Sequence, residues 1–189
     1  MKKFFYAMRI LTVAPIIAAI TFSILFFVSP EFSGGIINYL LGLLFITVLP
    51  LLAYPLQTVI PKFKYKGRDG QRYLAIIMSV LGYIGGSICA FALKMPAHMK
   101  ILFLTYLISG IIILVFSKVI KYKASGHACG VSGPVAFLTY TYGPVALLGL
   151  PLLALVFWSS LKMDRHKWGE LIAGSIIPGA SLIISILIV

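Results

Sequence analysis

The stretch PVAFLTYTYGPVALLGLPLLALVF, residues 134–157, is an apolar run with a break in its middle, and the nature of that break decides the fold. Tyr142 is followed by Gly143-Pro144, a pair that favours a turn over continued helix. One outcome is a single long helix kinked at Pro144. The other is two antiparallel helices. With a start near Ala128, each would have about 14 residues and measure roughly 21 Å, less than the ~30 Å hydrocarbon core of a bilayer. A short re-entrant hairpin or a tilted pair would then return the chain to the face it left. Periodicity does not separate the two outcomes.

Outward from this run the chain repeats one theme. Further apolar runs cover residues 10–29, 35–60, 73–93, 101–117 and 171–189. Hydrophobic residues make up 61% of the 189 and charged residues only 11%, and the mean hydropathy is +1.07. So few charges cannot cover a water-soluble domain of this size, so the bilayer serves as solvent. Unpaired backbone is excluded from hydrocarbon, and the runs lack the alternation of a membrane barrel, so they are helices. The expectation is an all-α, polytopic transmembrane helical bundle of six to seven membrane helices including a short helical hairpin, forming a single integral membrane domain over residues 1–189. Ile10 to Ser29 is too long for a signal-peptide core and lacks a small-residue cleavage site, so it reads as a retained first span. Cys89 and Cys129 sit in or beside apolar stretches, as small packing residues rather than a disulfide framework.

The net charge of +12 comes from 16 Lys and Arg against Glu31, Asp69, Asp164 and Glu170. These basic residues occupy short segments between apolar runs, which favours membrane topology and anionic headgroups over nucleic acid. If the chain turns back at Gly143-Pro144, the N-terminus and segments 61–72, 118–133 and 158–170 share a face. That face then carries Lys2, Lys3 and Arg9 together with the basic residues of the three segments, against Lys94 and Lys100 opposite. The bias makes the basic face cytoplasmic, and the cell membrane is the expected location.

Two of the three histidines lie in polar clusters on that basic face. Around His127 the chain reads Lys121-Tyr-Lys123-Ala-Ser125-Gly126-His127. Ser125 and Gly126 ahead of a helix can offer a hydroxyl and backbone amides to an anion, with charge added by Lys121 and Lys123. The same residues also make a helix cap with a topogenic flank. Around His166 the chain reads Lys162-Met-Asp-Arg165-His166-Lys-Trp-Gly-Glu170. A carboxylate four residues on can hold the imidazole in one tautomer and leave the other nitrogen as base or nucleophile, or form a surface ion pair. His98, between Met95-Pro96 and Met99-Lys100, reads as a solvated loop residue. The four acids make no convincing divalent-cation cage, and there is no phosphate-binding P-loop or nucleophile elbow.

Ser125-Gly126-His127, then Ser159-Ser160 ahead of His166-x-x-x-Glu170 and Gly174, resembles the type-2 phosphatidic acid phosphatase superfamily over roughly residues 60–180. That family carries Pro-Ser-Gly-His, then Ser-Arg, five residues, His, three residues, Asp. Here Ala124 replaces the proline, Glu170 the aspartate, and Ser160 stands at the arginine. Lys162 or Arg165 could restore that charge. The family's earlier Lys-x6-Arg-Pro motif is absent in its usual form, with Lys118, Lys121 and Lys123 where a condensed version would lie. Arg68 and Arg72, in Arg68-Asp69-Gly70-Gln71-Arg72, resemble a paired-arginine loop of a divergent branch.

The resemblance implies a hairpin between the two histidine motifs and a metal-independent reaction through a phosphohistidine. His166 would be the nucleophile, Glu170 its orienting carboxylate and His127 the acid for the leaving alcohol. Ser125, Gly126, Lys121, Lys123, Arg68, Arg72, Lys162 and Arg165 would bind phosphate. It implies a membrane lipid phosphatase acting on a lipid phosphate monoester or isoprenoid (di)phosphate without a cofactor, with membrane lipids and no nucleic acid as partners. The alternative is a catalytically weak or inactive relative that binds or translocates anionic lipids. Oligomeric state is not legible.

Overall fold

The computed structural model describes residues 12–189. Lys2, Lys3, Arg9 and the start of the expected first span lie outside the described residues. The chain is an all-helical bundle: α1 (Ala14–Val28), α2 (Ile36–Val59), α3 (Gly67–Ala92), α4 (Ala97–Lys118), α5 (Gly126–Tyr142), α6 (Leu150–Lys162) and α7 (Trp168–Ile188). A 3-10 turn over Pro144–Gly149 leads into α6. Helices α2, α3, α4, the Pro144–Lys162 segment and α7 are long and apolar enough to cross a membrane. The protein is therefore a polytopic integral membrane protein.

The break at Gly143-Pro144 is a hairpin. Gly143 ends α5 with φ of 78°, a left-handed conformation that favours glycine, and Pro144 restarts the chain with no amide to satisfy. The hairpin is longer than a start near Ala128 would give. Ser125 caps α5, its hydroxyl accepting from the Ala128 amide at 3.3 Å, and the helix runs 17 residues from Gly126, about 25 Å. Its far end reaches the opposite side, where the Tyr142 hydroxyl donates to Ser29 Oγ at 3.0 Å. The ring of Tyr140 lies 6.1 Å from that of His98. The pair therefore traverses the bundle rather than dipping into it.

Helix α5 is the central element and also a polar one, with two glycines, one serine, two threonines and Pro134 beyond its first two residues. It stays helical because protein surrounds it: α7, α1, α6 and α4 all pack against it. Protein-buried helices tolerate such sequences where lipid-facing ones do not. Packing is uneven along the bundle axis. The main core, including Phe22, Leu25, Phe32, Ile46, Met95, Met99, Phe103 and Phe137, fills the half next to the 29–35 and 93–96 connections. At the other end, among the described residues, the buried cluster is Ile113, Ala124 and Ile177, with a few half-buried neighbours. One half is solid. The other is hollow.

The basic segments gather at the hollow end. Among the described residues every Lys and Arg except Lys94 and Lys100 belongs to that end. Lys118 Nζ sits 3.3 Å above the Tyr73 ring centroid there, joining the starts and ends of neighbouring helices. In a Cys89→Ala/Cys129→Ala background, Lys123→Cys and Lys167→Cys should react with an impermeant maleimide from one side of sealed vesicles. Lys94→Cys should react only from the other. Labelling of Lys123→Cys and Lys167→Cys from opposite sides would disprove the hairpin.

Candidate active site

The hollow end holds a cavity of about 650 Å³, within the ~300–1,000 Å³ range of ligand sites. Arg68, Gln71 and Arg72 of α3, Gly126 and His127 at the start of α5, and Arg165 and His166 of the α6–α7 connection all line it. The two histidine motifs thus open onto one space, together with three arginines.

Each motif is placed by local structure. His166 precedes α7, so it and Glu170 do not lie along one helical face. Instead Glu170, in the first turn of α7, reaches back. Its Oε2 lies 2.8 Å from His166 Nδ1 and accepts the Lys167 amide at 3.3 Å. The carboxylate caps the helix and is favoured there by the helix dipole. A carboxylate only accepts, so Nδ1 carries the proton in this contact. Both side chains are largely buried, at 11% and 16% exposure, which shields the pair from bulk water.

The His127 motif is bound directly to the His166 motif. The Ser125 amide donates to the Glu170 carbonyl at 2.9 Å. One turn on, Gly174 presses against the same backbone: a Cβ there would collide with the Ser125 carbonyl and lie 3.0 Å from its nitrogen. Arg72 closes a third side. It donates through Nη1 to Ser117 Oγ at 2.7 Å and through Nη2 to the Ala124 carbonyl at 3.3 Å. This guanidinium is anchored on one side, and its remaining donors belong to a group with five in all. Arg68 interacts electrostatically with Arg165, Asp69 and Arg72, so three like charges are held near one another. That arrangement favours an anion between them.

No family model matches the chain, and no curated protein or solved structure is significantly similar to it.

Several expected anion ligands stand elsewhere. Ser125 is fully buried, spends its hydroxyl on the α5 cap and does not line the cavity. Lys121, Lys123 and Lys162 are exposed and likewise outside the lining. Lys121 takes φ of 56° in a segment that runs over the surface. Ser160, at the family arginine position, is buried, and its carbonyl accepts the Arg165 amide at 3.0 Å. The cavity charge comes from Arg165 and not from Lys162. Arg68 to Arg72 are helical rather than loop residues, since α3 begins at Gly67. That puts Arg68, Gln71, Arg72 and Ala75 on one face, and Gln71 could have been found by that spacing. Tyr54, which also lines the cavity, had no such signal. It arrives through a π-helical turn at Leu44–Val48 that precedes Pro50 in α2, and such turns are invisible to periodicity. Among the described residues no group of three or more His, Cys, Asp and Glu side chains could hold a metal ion.

Gly174→Ala should be severe for so small a change, since both colliding partners are backbone. Overpacking of this kind costs about 1–3 kcal/mol. We expect a lower melting temperature in detergent and a disrupted site; a melting temperature equal to wild type would contradict the close approach.

Proposed function

We propose that this protein is a membrane lipid phosphatase that hydrolyses a lipid phosphate monoester or isoprenoid (di)phosphate without a metal, through a phosphohistidine. The observation that carries the reading is the Glu170-held His166 opening, with His127 and three arginines, onto one cavity whose remaining walls are largely apolar. The resemblance of Ser125-Gly126-His127 and His166-x-x-x-Glu170 to the type-2 phosphatidic acid phosphatases supports the same chemistry.

In this reading the lone pair of neutral His166 resides on Nε2, because Nδ1–H is given to Glu170. Nε2 attacks phosphorus while the ester P–O bond breaks. His127 donates the proton that the departing alcohol needs. Charge on the five-coordinate phosphorus is met by Arg68, Arg72, Arg165 and the Gly126 amide, the first amides of a helix having no intrahelical acceptor. Water, deprotonated by His127, then cleaves the P–N bond and restores both histidines. Glu170 is a positioning residue. The basic face would be cytoplasmic by the distribution of Lys and Arg, and the cell membrane would be the site of action.

The test is phosphate release from a panel of lipid phosphates in phosphatidylcholine nanodiscs, with chelator present. Wild type should be active. His166→Ala should lose at least about a thousandfold, and His127→Ala roughly 10²–10⁴-fold. Radiolabelled phosphate should be trapped in acid-labile, base-stable form on His127→Ala and not on His166→Ala. Equal release by wild type and both variants would refute the histidine mechanism. Binding without release on every substrate would point instead to a protein that holds or moves anionic lipids.

Glu170→Gln keeps a hydrogen-bonding oxygen but can present its amide to Nδ1 and so favour the other tautomer. Turnover should fall about a hundredfold or more, with little change in KM. A KM effect alone would assign Glu170 to binding.

A further inference from the structure

The cavity extends well past its charged mouth. On α3 its lining runs from Arg68 to Tyr83, about 22 Å along the helix axis. Beyond the histidines the walls are Ala75, Ile76, Ile113 and Gly130. The far end is closed by Tyr83, Tyr106 and Phe137. The two tyrosine rings meet edge to face with centroids 5.3 Å apart, and Phe137 is buried. Beneath them Phe103, fully buried, fills the space over Gly86. The chamber therefore ends on the solid half of the bundle.

The Ser109 hydroxyl lies within the wall near that end, buried and with no hydrogen-bond partner among the described residues, and Tyr83 bonds Ser79. The rings of Tyr83, Tyr106 and Phe137 stop a chain at one level. At about 30 Å³ for each water-sized group, 650 Å³ holds on the order of twenty non-hydrogen atoms, and a phosphate uses roughly five of them.

We propose that the cavity takes a lipid phosphate with a single chain that ends inside the protein, limited to on the order of fifteen carbons. Tyr83, Tyr106 and Phe137 are the residues that set the limit. The assignment rests on the proposed phosphate site at the mouth. A diacyl phosphatidate or a long polyprenyl chain exceeds the space.

Binding separates this assignment from the catalytic one. Alkyl phosphonates graded from octyl to octadecyl, which cannot be hydrolysed, are titrated into the protein in phosphatidylcholine nanodiscs, while the matching alkyl phosphates are assayed for release. Affinity should rise about fourfold per methylene, then level or fall near tetradecyl, with dioleoyl phosphatidate weaker than the best single chain. Phe137→Ala should move the break to longer chains and Ser109→Leu to shorter ones, while Tyr106→Phe should leave it in place. Ser109→Leu keeps the test decisive if Phe137→Ala does not fold. Affinity climbing steadily to octadecyl, or dioleoyl phosphatidate binding as tightly as the best single chain, would overturn the proposal. A break in binding with no hydrolysis of any phosphate would uphold it and defeat the phosphatase reading. Hydrolysis without a break would do the reverse.

Discussion

The hydrogen bond from the Ser125 amide to the Glu170 carbonyl is the constraint on which the site depends. It ties the start of α5 to the start of α7, two helix ends that are 45 residues apart in the chain. A backbone bond of this kind tolerates no intervening side chain, which is why glycine stands at 174. With the two ends locked, His127 and His166 must open onto the same side. Arg72 then fastens the segment before α5 to α3 and α4 through Ala124 and Ser117. The rest of the bundle can be regarded as support for this three-way junction.

That support is distributed unevenly for a physical reason. Interdigitated aromatic and aliphatic side chains fill the half that carries few charges, and close packing makes it rigid. The half that carries the arginines cannot be filled in the same way. Guanidinium groups brought together without an anion repel one another, and burying them against hydrocarbon is unfavourable. A space open to a ligand relieves both problems. The polar chemistry and the cavity are in this sense two aspects of one arrangement.

Much of the fold was legible in the sequence because hydrophobic run length and charge exclusion act on every residue in a membrane. The hairpin at Gly143-Pro144 could be read as a turn, but not its depth. That depends on Ser125 starting α5 early and on Tyr142 meeting Ser29, both tertiary matters. Within the site, the two histidines and Glu170 were legible from spacing, although the pair meets across a helix start and not along a helical face. The lysines were misleading. A flexible cation at the right place in the chain says little about where its head lies, whereas Arg68 and Arg72 sit on a helix whose face is set by geometry. Ser125 was misleading for another reason: a hydroxyl before a helix can serve an anion or the helix itself, and here it serves the helix. The tyrosines of the far end left no signature, since in the sequence they are indistinguishable from ordinary apolar packing.

The unequal halves also change what a bound molecule is to this protein. In most globular folds the core is complete before any ligand arrives, and the ligand is an addition. Here a substantial part of the interior near α3, α4 and α5 is left unfilled by the side chains of the described residues, so a guest would supply contacts that those residues do not make among themselves. Such a molecule is the missing portion of the core as much as it is a passenger. Its departure would leave the junction between α5 and α7 to its one backbone hydrogen bond and to the packing of those two helices on each other.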